Sequence, residues 1–101
     1  MYGIPTLTNY LYTGPATVVN IRRRRERGQQ LSTYTIKIKI AGEVYSSTIA
    51  PYTALYVWIQ VFRRECLGSE YNVIGMLKHA ETYSAVLWSV DVRLSADSLD
   101  Y

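Results

Sequence analysis

From Tyr34 to Ile40 every second residue is large and apolar, and the residues between them are Thr35, Lys37 and Lys39. A period of two is the repeat of an extended strand, whose side chains alternate between faces; a helix cannot gather it into one stripe. The segment Thr33–Ile40 therefore predicts a strand with Tyr34, Ile36, Ile38 and Ile40 toward a core. Thr33, Thr35, Lys37 and Lys39 then take the opposite face. The preceding segment repeats the pattern, with Thr17, Val19 and Ile21 alternating with Val18, Asn20 and Arg22. Gly28 between the two segments suits the positive φ of a tight turn. A two-residue turn at Gly28 and Gln29 sets Ile21 opposite Ile36 and Val19 opposite Ile38. The same register carries Arg22 and Arg24 onto the face of Lys37 and Lys39.

Downstream, Ala41 and Gly42 predict a second turn, and Glu43 to Ile49 a third strand. Pro51 suits a first helical turn, and no Gly or Pro follows until Gly68, so a helix is expected over about residues 52–66. Its stripe is Leu55, Trp58, Ile59, Phe62 and Cys66, at the spacing of one helical face. The same stretch is rich in strand formers, which keeps strand as its alternative. Residues 70–78 and 83–94 predict a closing hairpin, with Val86, Trp88, Val90, Val92 and Leu94 on one face of the last strand.

The expected fold is α+β: a mostly antiparallel five-stranded sheet in the order β-β-β-α-β-β, with the helix covering one face. One helix cannot cover both sides of five strands, so the far face has to be polar, curl into a barrel, or meet a partner. Residues 1–15, with Pro5, Gly14 and Pro15, suggest an extended N-terminal arm; 16–95 would form the single globular domain, and 96–101 a frayed acidic tail. At 101 residues, with 49% hydrophobic and 19% charged residues, the chain can close one core and is too apolar for intrinsic disorder. The apolar run Ala54–Phe62 is too short to span a membrane. The N-terminal residues show no secretory signal, so an intracellular location, cytoplasmic or nuclear, is expected. Cys66 is the only cysteine, which excludes an internal disulfide and any zinc site built from several thiolates.

The net charge of +3 is unevenly placed: Arg22, Arg23, Arg24, Arg25, Arg27, Lys37 and Lys39 hold seven of the eleven basic side chains. A basic β-ribbon suits the phosphate backbone of DNA or RNA, because arginines neutralise phosphates and release counterions. These seven residues are the expected nucleic-acid site; a solvated hairpin end or a linear import signal are the alternatives. Ten tyrosines can stack on unpaired bases or serve protein interfaces, though packing is the plainer use of most. The four Tyr-x-x-hydrophobic stretches fall in expected core elements.

For catalysis the residues are few. His79 with Glu81 could act as a base and its orienter, and Cys66 with His79 as a nucleophile pair. No metal-ligand spacing and no glycine-rich phosphate loop is present. The expected function is thus a non-enzymatic nucleic-acid-binding protein of low specificity, with DNA or RNA as partner and no cofactor expected, acting as a homo-oligomer. The alternative is a protein-interaction or self-assembly module, such as a small viral accessory protein, using an open, tyrosine-containing sheet face.

Overall fold

The computed structural model describes residues 8–28, 30–80 and 82–90. Its elements are β1 (Thr8–Arg24), β2 (Thr33–Ile40), β3 (Glu43–Ile49), α1 (Ala54–Cys66), β4 (Glu70–His79) and β5 (Ser84–Val90). The element order matches the expected one, but the sheet closes into a barrel in the order β1-β2-β3-β5-β4, with β4 returning to β1. Curling was thus the solution to the uncovered face. Closure requires one parallel contact, Ser46 of β3 with Ser84 of β5, in an otherwise antiparallel sheet. The expectation of one open sheet face is corrected accordingly.

The long first strand makes closure possible. Its first part, Thr8 to Thr17, pairs with β4, and its second, Thr17 to Arg24, with β2. Residues 8–15, expected within an arm, are therefore strand; residues 1–7 and 91–101, including Val92, Leu94 and the expected tail, lie outside the described residues. To serve both neighbours β1 bends, and a bulge between Val18 and Asn20 supplies the extra twist. Ile21 stands opposite Ile36 as expected, but Val18, not Val19, stands opposite Ile38. Val18 is buried and Val19 is exposed. Pairing stops at Arg24 and Thr33, well before the expected two-residue turn; Gly28 has the positive φ its place suggested, and Gln29 lies outside the described residues.

The barrel interior is filled by Ala16 and Val18, by Tyr34, Ile36, Ile38 and Ile40, by Tyr45 and Ile49, by Tyr71, Val73 and Leu77, and by Ala85 and Leu87. The last strand corrects a further expectation. Ala85 and Leu87 face inward, while Val86 and Trp88 are exposed. The pairing of β5 with β4 shifts between Ile74 and Gly75, which leaves Trp88 as the unpaired extra residue.

The helix begins at Ala54 rather than at 52. Thr53 is its N-cap: its Oγ1 accepts the Tyr56 backbone N–H at 3.1 Å and donates to the Ala50 carbonyl at 3.0 Å. Tyr56, Trp58, Ile59 and Cys66 are its buried residues. Phe62, expected in the stripe, is exposed because its backbone leaves the helical region (φ −114°, ψ 16°) and rotates the last turn. Tyr56 packs on Tyr34 and Trp58 packs edge-on against Tyr71, so the helix seals the barrel end where β2 and β4 begin. No helix among the described residues is long and apolar enough to cross a membrane.

Candidate nucleic-acid interface

The β1–β2 ladder decides where each basic side chain goes. Residues opposite one another in an antiparallel pair share a face, and Asn20 pairs with Lys37, Arg22 with Thr35, and Arg24 with Thr33. The outer face therefore carries Arg22, Arg24 and Lys37 together. Arg22, Arg23, Arg24, Thr35 and Lys37 line one hollow of about 370 Å³, with no carboxylate in its lining among the described residues. Lys39 is exposed two residues further along β2, opposite Thr17. Arg25 and Arg27 are exposed in the loop beyond the paired strands. The structure thus gathers Arg22, Arg24 and Lys37 on the outer face, with Arg23, opposite the buried Tyr34 at the alternate ladder position, lining the same hollow, and leaves Lys39, Arg25 and Arg27 around them.

Concentrating like charge on adjacent strands costs stability. Exposed guanidinium and ammonium groups around a shared hollow offer several donors to one anionic chain, and arginine binds phosphate oxygens in a bidentate manner. A second hollow is lined by Gln30, Leu31, Thr33, Pro51 and Tyr52. One residue of each lining is paired on the ladder, Arg24 of the first with Thr33 of the second, and Thr33 Oγ1 donates to the Arg24 carbonyl at 3.4 Å. Sequence reading missed Tyr52 by placing it inside the helix. The signal that would have found it is Thr53, a preferred N-cap residue that moves the helix start past Tyr52.

The candidate catalytic residues are differently placed. His79 lies at the far end of the barrel, where its Nε2 meets the Tyr45 hydroxyl at 2.6 Å and the Tyr10 hydroxyl at 3.1 Å. Its ring stacks on Tyr83 at 4.7 Å and on Tyr45 at 5.6 Å, with Tyr10 edge-on at 5.0 Å. These four rings plug the barrel mouth. Burial, followed by the hydrogen bond with Tyr10, pushes the Tyr45 phenol well above its usual range. Glu81 lies outside the described residues. The Cys66 thiol is buried, donates to the Arg63 carbonyl at 3.4 Å, and has its pKa pushed up by burial. A thiolate nucleophile needs the opposite shift.

Fold and surface together define a small closed β-barrel with a basic outer face. The chain matches no protein-family model, no curated protein and no solved structure.

Proposed function

We propose that this chain is a non-enzymatic nucleic-acid-binding protein of low sequence specificity, gripping phosphates through the β1–β2 hairpin. The observation that carries this proposal is the convergence of Arg22, Arg23, Arg24 and Lys37 on one hollow, with no carboxylate in its lining among the described residues. Arg25, Arg27 and Lys39 extend the positive field around it. Architecture supports it by analogy. OB-folds are five-stranded Greek-key barrels that take oligonucleotides and oligosaccharides on the face of strands 2 and 3 and on the β1–β2 and β4–β5 loops. Here that face presents Thr35, Lys37, Ser46 and Thr48, and the β1–β2 loop continues the arginine run. A shared fold does not fix a ligand, so the charge placement remains the primary support.

The test is fluorescence anisotropy with a labelled single strand and a labelled duplex at low ionic strength. Binding to either is expected, weakened at least tenfold when Arg22, Arg24 and Lys37 are all changed to Ala, since three charge-assisted contacts are lost. Absence of binding by the unaltered chain at low salt would overturn the proposal.

A second reading is favoured by another surface. Leu11, Met76 and Val86 form a row across β1, β4 and β5, with Ile74 and Trp88 beside it. Leu11, Ile74, Val86 and Trp88 are all exposed. Such a patch marks a protein contact, which would make the chain an interaction or self-assembly module, and is compatible with a homo-oligomer that also binds nucleic acid. The contact would lie on this aliphatic and tryptophan face rather than on a tyrosine-containing open sheet.

A further inference from the structure

Tyr52 is 88% exposed and its backbone is held at φ +70°. That region is strained for a bulky side chain and costs on the order of 1–3 kcal/mol unless the surroundings enforce it. The flanking residues do enforce it. Pro51 fixes the turn on one side, and on the other Thr53 ties its hydroxyl to the Ala50 carbonyl and the Tyr56 N–H. The result is a large aromatic ring directed away from the core at a position where Gly or Asn would be less strained.

Every other described tyrosine is engaged. Tyr10, Tyr45 and Tyr83 surround His79, Tyr12 donates to the Pro15 carbonyl, Tyr34 packs on Tyr56, and Tyr71 meets Trp58. Tyr52 instead lines an open hollow together with Thr33, the ladder partner of Arg24, which lines the basic hollow. A flat aromatic beside a row of cations is the pairing that holds a single strand, with bases on the ring and phosphates on the arginines. A duplex keeps its base faces stacked inside the helix and can use only the cations.

Resting on the nucleic-acid proposal above, we propose that Tyr52 is a stacking platform for an unpaired base, so that the chain selects single-stranded over double-stranded nucleic acid. One base–aromatic stack accounts for about a ten- to hundredfold change in affinity. The test compares the full chain with Tyr52→Ala, Tyr52→Gly and Tyr52→Phe, using single-stranded DNA and RNA oligonucleotides and a duplex of the same sequence. Tyr52→Ala and Tyr52→Gly are expected to lose that factor on single strands, to leave duplex binding and the salt dependence unchanged, and to melt no lower than the original chain. Tyr52→Phe, which keeps the ring, is expected to bind like the original. Equal single-strand affinity for the original chain, Tyr52→Ala and Tyr52→Gly would overturn this proposal while leaving the phosphate-binding one standing. An equal loss on duplex and single strand would overturn it too. Failure of the original chain to bind any oligonucleotide at low salt would remove both.

Discussion

A buried phenol needs a hydrogen-bond partner and needs to stay neutral, and Tyr45 meets both requirements at the mouth of the barrel. Its hydroxyl reaches His79 Nε2 at 2.6 Å, and burial is the main cause of its raised pKa. A raised value in the folded state means that folding favours the protonated phenol. The stability it contributes is therefore complete below the ordinary value of 10.0 and is lost as the pH rises through and beyond it. Denaturation midpoints should hold steady at neutral pH and fall above about pH 10, and Tyr45→Phe should flatten that fall. The flattening should be partial, because burial also raises Tyr12. At neutral pH the same substitution should cost about 1 kcal/mol for the lost hydrogen bond. Single residues were unevenly legible. Lys37 and Arg22 could be placed on one face because a period-two ladder fixes side-chain direction. The engagement of His79 by Tyr10 of β1 and Tyr45 of β3, beside Tyr83 just before β5, depends on contacts far apart in sequence for the first two, which no local pattern carries.

At the level of elements, strand existence was readable and strand phase was less so. In β2 the two faces differ sharply, Ile against Lys and Thr, so burial follows the pattern. In β5 both faces are apolar, Ala85 and Leu87 against Val86 and Trp88, and periodicity alone cannot choose the inner one. The choice is made by pairing with β4, where Gly75 stands opposite Leu87. A Cβ on Gly75 would lie 2.4 Å from the Val86 carbonyl oxygen, which is backbone and cannot simply turn aside. Gly75→Ala should therefore destabilise the fold by about 1–3 kcal/mol, as overpacking does, measured by urea denaturation. A change within a few tenths of a kcal/mol would show that β4 and β5 are not so closely packed. The bulge in β1 escaped for a related reason: Val18 and Val19 are chemically the same, and only the need to bend between β4 and β2 decides which one turns inward.

Over the whole molecule, closure separates two surfaces. The second part of β1 and β2 carry the cations, whereas the first part of β1, β4 and β5 carry Leu11, Ile74, Met76, Val86 and Trp88. Closure itself was one of three solutions open to a sheet with one helix, and local sequence could not choose it because the Ser46–Ser84 contact joins strands separated by α1 and β4. If the apolar face associates, sedimentation should show an oligomer that survives high salt and dissociates in Val86→Glu or Trp88→Glu, since apolar contacts resist screening. A monomer at all salt concentrations would remove the self-assembly reading. The phosphate-binding proposal is tested most directly by the slope of log affinity against log salt for a single-stranded oligonucleotide. Each phosphate neutralised contributes about 0.7 to that slope, so four cations predict about −3. Changing Arg22, Arg24 and Lys37 together to Ala should reduce its magnitude by about 2. An identical slope in that variant, or a flat one in the original chain, would contradict the assignment of phosphate binding to the β1–β2 hairpin.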